Sequence, residues 1–318
     1  MSQPPYLDAA AIERLVPPAR AVDLLEAALR DGLDPEAAPP RPSMPLPGGE
    51  LLLMPASGGR YAGVKAVTVA PGNPARGLPR IQGAYLLFDG DTLAPLAVLD
   101  GLALTASRTP AVSALAARHL AAPDSRTLTV FGSGPQAWGH VRALRATHPL
   151  DEVTVVARNP VTAAALAGRC ASLGLSAAVA GGREQAHRAV AEADIVACCT
   201  TSRQPLFPGA LPRDGALVIA IGSHEPGARE VDDDLVVRST VVVEARASAL
   251  AEAGDVIIPV RHGTIPTGHI AGNLAELVGG AVQAGQGPRL FKGTGMAWQD
   301  LVVAAAAYEA WAQGRGYA

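Results

Sequence analysis

The sequence predicts an α/β protein in which a doubly wound parallel sheet of the Rossmann type follows an α+β region. Three observations carry this. The run Leu128-Thr129-Val130-Phe131 enters Gly132-Ser133-Gly134-Pro135-Gln136-Ala137, and a helical pattern leaves toward Ala146. That is the strand–turn–helix order of a dinucleotide-binding loop. From Leu128 onward strand-like and helical segments alternate, which implies parallel strands joined by crossing helices. Before Leu128, four strand-like runs separated by turn residues read as an antiparallel meander.

In chain order, residues 7–33 read as helix broken at Pro17-Pro18, with Leu24, Leu25, Ala28 and Leu29 on one face and Gly32 as the stop. Residues 34–49 are Pro-rich and contain Arg41. The meander runs are 50–55, 61–70, 81–89 and 94–100. A helix is expected over 105–121, capped by Thr109 with Pro110 in its first turn. In the second half the expected strands are 127–131, 153–157, 195–199, 217–221 and 240–243. The expected helices are 136–147, 160–173, 182–193 and 247–253. Residues 296–313 form one helix more than a dinucleotide fold needs, which suits a return to the first region.

Composition bounds the function. The chain has 318 residues, 49% hydrophobic and 17% charged, enough for two domains with large cores. A net charge of −3 and the lack of a basic cluster argue against nucleic acid. Met1-Ser2-Gln3-Pro4-Pro5 lacks the features of a signal peptide, and no apolar run is long enough to span a bilayer, so a cytoplasmic protein is expected. Cys170, Cys198 and Cys199 show no metal-ligand spacing and read as reduced thiols; no metal is expected. Of 26 basic residues only Lys65 and Lys292 are lysines. Where Arg replaces Lys so widely, a retained Lys points to a need for a compact, titratable ammonium.

The glycine loop has a definite chemistry. Gly132 permits the tight turn, Gly134 lets backbone approach a pyrophosphate, and the helix N-terminus offers N–H groups to it. Ala137 takes the place of the third glycine. The following strand ends in Ala157-Arg158-Asn159 with no carboxylate for a ribose 2′-hydroxyl. An acid there would repel a 2′-phosphate, whereas a guanidinium grips it, so NADP(H) is expected, with NAD(H) the alternative. Arg158 also fits a plain solvated loop. Thr200-Thr201-Ser202, after the strand 195–199, are expected to line the nicotinamide side, or else simply cap that strand.

Six stretches, the glycine loop among them, carry a resemblance: Gly63-Val64-Lys65, Pro71 to Pro79, Gly83 to Asp89, Leu104-Thr105-Ala106-Ser107-Arg108-Thr109, Gly132 to Ala137, and Gly222-Ser223-His224-Glu225-Pro226-Gly227-Ala228-Arg229-Glu230. In this order they resemble the ornithine cyclodeaminase/μ-crystallin family. The resemblance implies a homodimer of two-domain subunits. Residues 1–122, completed by 297–318, would bind substrate and dimerise, and 123–296 would form the Rossmann domain. It implies hydride transfer between NAD(P)H and the C=N bond of a small imino acid, as in a ketimine reductase or an amino-acid dehydrogenase, while the charge and hydropathy read above leave no nucleic-acid or membrane partner expected.

Residue by residue, it implies that Arg41, Lys65 and Arg108 hold the substrate carboxylate, with Lys65 also relaying a proton. Arg108, placed just before the expected helix start at Thr109, would gain from the dipole there. Asp300 matches a position near the cofactor, and Thr109, Gly222 and Ser223 join the cofactor set. Cyclodeaminases resemble Gly-Gly-Asp-Cys-Pro-Gly where this chain has Gly222 to Gly227, so His224 replaces their Asp. An imidazole with a pKa near ~6.5 would repel the terminal ammonium of ornithine when protonated. Reduction is therefore expected over ammonia loss, with His224 as a catalytic proton donor for the imine. Alternatives are a cyclodeaminase and a non-enzymatic NADPH binder of μ-crystallin type. Lys292 reads as a loop charge without a role. Trp138, Trp298 and Trp311 read as packing residues.

Overall fold

The computed structural model describes residues 3–39 and 41–315. The chain begins with β1 (Tyr6–Leu7), α1 (Ala9–Leu15) and α2 (Pro18–Arg30). The meander follows as β2 (Ser43–Leu46), β3 (Gly49–Gly58), β4 (Tyr61–Val69), β5 (Ile81–Asp89) and β6 (Pro95–Asp100), then α3 (Gly101–Leu120). The alternating half is β7 (Thr127–Phe131), α4 (Pro135–Arg145), β8 (Glu152–Val156), α5 (Pro160–Ser172), β9 (Ser176–Val179), α6 (Arg183–Glu192), β10 (Ile195–Cys198) and β11 (Leu217–Ala220). It continues with α7 (Asp233–Arg238), β12 (Thr240–Val243), α8 (Arg246–Glu252), α9 (Gly254–His262), β13 (Ile270–Asn273), α10 (Leu274–Val278) and β14 (Arg289–Lys292), and the chain closes on α11 (Ala297–Arg315).

Two compact units result: residues 1–28, 37–109 and 296–318, and residues 29–36 with 110–295. The first holds a six-stranded sheet ordered β1-β6-β5-β4-β3-β2, antiparallel except where β1 runs alongside β6. Its alternation divides the faces. Tyr61, Lys65 and Val67 of β4 and Tyr85 and Leu87 of β5 point to the buried side, which α11 covers. The second holds an eight-stranded parallel sheet ordered β13-β12-β14-β11-β10-β7-β8-β9. Strand order reverses between β7 and β10, the point at which such sheets open a crevice beyond their carboxyl ends.

Three expectations need correction. The helix expected over 105–121, with Thr109 as its cap, starts at Gly101, because the Asp100 carboxylate accepts the N–H groups of Leu102 (2.9 Å) and Ala103 (3.0 Å). Thr109 and Pro110 lie inside it, and Arg108 gains nothing from a helix N-terminus. The expected boundary at residue 122 also moves. Residues 110–120 group with the second unit, where Ser113 meets the His140 imidazole at 2.8 Å. Residues 29–36 join it as well, since Glu36 accepts the backbone N–H groups of Arg246 (2.8 Å) and Ala247 (3.2 Å). Finally, β1, β2, β9, β13 and β14 were not foreseen. They are two to four residues long, too short to show a period.

Candidate active site and cofactor crevice

In the first unit, Lys65 on β4 stands directly opposite Tyr85 on β5, both on the covered face. Gly63 makes room for that phenol: a Cβ there would sit 2.2 Å from Tyr85 Oη. The Lys65 ammonium donates to Asp300 Oδ2 at 2.7 Å and to Thr105 Oγ1 at 3.2 Å. Arg108, one turn along α3 from Thr105, donates Nε to Asp300 Oδ1 at 3.2 Å and Nη1 to Gln299 Oε1 at 3.0 Å. Asp300 lies in the first turn of α11, where the helix dipole favours a carboxylate. Lys65, Arg108, Gln299 and Asp300 are all buried.

One carboxylate thus serves two buried cations, and the Arg41 guanidinium adds a third positive field at Lys65. The excess positive charge favours an anion. Burial brings Lys65 down to about 8; Asp300 pulls the other way, and Arg108 and Arg41 lower it further. An ammonium with its pKa near neutrality is suited to giving up a proton. The Tyr85 hydroxyl is buried without a hydrogen-bond partner, and burial, then Asp300, push its pKa up, so it stays neutral.

In the second unit a crevice of about 1450 Å³ opens over the carboxyl ends of the strands. Gly132 holds φ at +104°, and a Cβ on it would lie 2.5 Å from the Cys199 carbonyl oxygen, so the turn requires glycine. Gly134, the N-cap of α4, has open space where a side chain would stand, and Pro135 opens the helix. Helix N-termini carry N–H groups that lack helical partners. The loop therefore fits a dinucleotide pyrophosphate. Asn159 caps α5 through the N–H groups of Val161 (2.9 Å) and Thr162 (3.3 Å), which sets Arg158 exposed at the crevice wall. Burial pushes the Cys199 thiol well above its usual value, so it lines the crevice as a neutral group.

Of the residues singled out in the sequence, Gly132, Ser133, Gly134, Arg158, Asn159, Thr200, Thr201 and Ser202 line this crevice. Pro135, Gln136 and Ala137 form the first turn of α4 beside it, Ala137 fully buried. Ser223 is buried, its hydroxyl donating to the Ala228 carbonyl, so its side chain is spent inside its own loop. His224 is exposed on that loop, and Glu225 next to it pairs with Arg203. Lys65, Arg108 and Asp300 come together in the first unit, with Arg41 near enough to act on Lys65; Thr109 lies along α3. The reading of Lys292 as a loop charge is wrong: it is 1% exposed, in β14, and paired with Asp255 at 2.9 Å. Arg183 and His187 of α6 also line the crevice, signalled in the sequence only by Gly181-Gly182 before them.

Residues 6–315 match the sequence profile of the ornithine cyclodeaminase/mu-crystallin family. A Delta(1)-pyrroline-2-carboxylate reductase of Paracoccus denitrificans is 38% identical over 76% of this chain and 77% of its own. The structure of the Thermococcus litoralis Delta(1)-pyrroline-2-carboxylate reductase in complex with NADH and L-proline superposes with a TM-score of 0.91, at 31% identity, covering 97% of this chain and 98% of that one. An archaeal alanine dehydrogenase dimer with bound NAD gives a TM-score of 0.90 at 28% identity, covering 98% and 97%.

Proposed function

The chain belongs to the ornithine cyclodeaminase/mu-crystallin family, and from that premise we propose that it reduces a small cyclic imino acid of the pyrroline-2-carboxylate kind with NADPH. It is an NAD(P)H-dependent oxidoreductase acting on the C=N bond of an imino acid. The observation that carries the substrate class is the buried pairing of both Lys65 and Arg108 with the single carboxylate of Asp300. An α-imino acid brings the missing negative charge next to its C=N bond.

Arg41, Lys65 and Arg108 hold the substrate carboxylate, Arg108 being aimed by Gln299 and Asp300. Lys65, steadied by Asp300 and Thr105, keeps the imine nitrogen protonated, and an iminium carbon is the better hydride acceptor. The bound nicotinamide supplies the hydride. Gly132 and Gly134 with the first turn of α4 take the pyrophosphate, and Thr200 to Ser202 flank the nicotinamide. Arg158 takes the 2′-phosphate, for which no acid competes at the end of β8. His224 in place of an acid disfavours a diamino acid, and Glu225 is drawn away by Arg203.

The protein also acts as a homodimer in this reading. The uncovered face of the first sheet is apolar, with Leu51, Leu53, Val64, Ala66, Leu86 and Val98 half-buried or exposed, and a second copy would cover it. The alanine dehydrogenase of similar fold is a dimer. Among the described residues no helix is long and apolar enough to cross a membrane, and the three cysteines are free, which suits a cytoplasmic enzyme. The test is to offer pyrroline-2-carboxylate with NADPH in one tube and ornithine with catalytic NAD in another. NADPH oxidation in the first is expected. Ammonia and proline from ornithine, with no oxidation in the first tube, would overturn the assignment.

A further inference from the structure

Beneath the crevice the second unit buries charges that the steps above do not use. Glu230 is wholly buried. Its Oε1 accepts the Thr200 N–H (2.8 Å) and the Thr200 hydroxyl (2.7 Å), and its Oε2 accepts the Gly222 N–H (2.7 Å). Asp255, equally buried, accepts the N–H groups of Glu230 (2.6 Å) and Val231 (3.0 Å) and pairs with Lys292. Lys292 also donates to the Ser223 carbonyl at 2.6 Å. Glu244, at the end of β12, accepts the N–H groups of Thr294 (2.8 Å) and Gly295 (2.6 Å). Three buried carboxylates and one ammonium therefore stand at the carboxyl ends of the strands.

Every atom facing Glu230 in these bonds is a donor, so the loops after β10 and β11 are organised around its anion. Burial pushes its carboxyl up and the neighbouring Asp255 adds to that rise, while Lys292 and the Thr200 donors oppose it. Thr200, which it grips twice, is itself a wall of the crevice. A carboxylate there would serve more than fold stability. The nicotinamide ring is neutral when reduced and cationic when oxidised, so positive charge grows on it as the hydride leaves.

We infer that Glu230 is a positioning residue that sets the nicotinamide loops and, through its buried charge, favours the oxidised ring over the reduced one. This rests on the reading of Thr200 to Ser202 as the nicotinamide side. Hydride donation builds positive charge next to a fixed anion that needs no reorganisation. Asp255 holds the backbone of Glu230 in place, and Lys292 keeps Asp255 compensated.

The test is binding, by calorimetry, of NADP+, NADPH and 2′-phospho-ADP-ribose, which lacks the nicotinamide. Glu230→Gln should weaken NADP+ about tenfold more than NADPH, the size of one charge acting across a partly buried wall, and leave 2′-phospho-ADP-ribose within about twofold. Loss of loop structure alone would weaken NADPH as much as NADP+, and that result overturns the inference. Glu230→Asp keeps the charge while shortening the side chain. Its ratio of NADP+ to NADPH affinity should stay within about twofold of wild type, and a tenfold change in that ratio also overturns it. A wild-type protein that binds neither nucleotide would instead sink the cofactor reading, and the inference with it.

Discussion

Raising the pH through the Lys65 pKa should release the substrate carboxylate, and the size of the effect can be worked out. Burial sets this ammonium near 8 in the free protein. Bound carboxylate adds a negative neighbour and offsets the fields of Arg108 and Arg41, so the pKa rises in the complex. Affinity is then undiminished below about 8 and falls up to tenfold per unit above it. From pH 7 to pH 9.5 the protonated fraction drops from about nine-tenths to about one-thirtieth, a roughly 30-fold weakening. Tyr85, opposite Lys65, is pushed far up and does not titrate in this window. Pyrrole-2-carboxylate suits the assay because its ring nitrogen does not ionise there. Calorimetry in two buffers of different ionisation heat should show proton uptake on binding near pH 8.5, absent in Lys65→Arg, whose charge persists across the range. A wild-type affinity that moves less than threefold, or an equal fall in Lys65→Arg, would refute the argument.

Other outcomes are equally concrete. Arg108→Ala should lose roughly 1.5–3 kcal/mol of carboxylate binding, read as kcat/KM for the imino acid, with NADPH affinity nearly unchanged; turnover at the wild-type rate contradicts this. Arg158→Asp should weaken NADPH and spare NADH, and a wild-type preference for NADH in direct binding would dispose of the 2′-phosphate assignment. His140 is fully buried between the Gln136 carbonyl and Ser113 (2.8 Å each), and burial lowers it to about 4. Its folded pKa lies below the ordinary 6.5, so the stability it contributes is present above pH 6.5 and lost as pH falls toward 4, about 3 kcal/mol in all. Urea unfolding of His140→Gln should lack that part of the acid sensitivity. Gly63→Ala should destabilise by about 1–3 kcal/mol, since Tyr85 is fully buried and cannot give way freely; an unchanged thermal transition counts against the close fit.

Elements whose signals are local are legible in the amino-acid order alone. The strand Thr127–Phe131, the glycine turn and the helix after it are legible because a tight turn, a close backbone approach and a helix start each demand a residue type at a fixed offset. The meander over β3 to β6 is legible because turn residues punctuate it and its strands are long enough to alternate. The scarcity of lysine marked Lys65 and Lys292 before any contact was known.

The remaining features depend on residues far apart in the chain. Asp300 reads alone as an ordinary acid at a helix start; its meaning comes from α11 lying on the covered face of the sheet, where two cations meet it. Lys292 looked like a loop charge because a four-residue strand shows no period, and its partner Asp255 lies on a separate helix. The start of α3 went to Asp100 over Thr109 because both are competent caps, and only the backbone path places one of them beside the first N–H groups. Local sequence encodes turns, caps and periods. The pairing of buried charges is set by packing, where the cost of an uncompensated ion is decided by whichever element happens to lie above it.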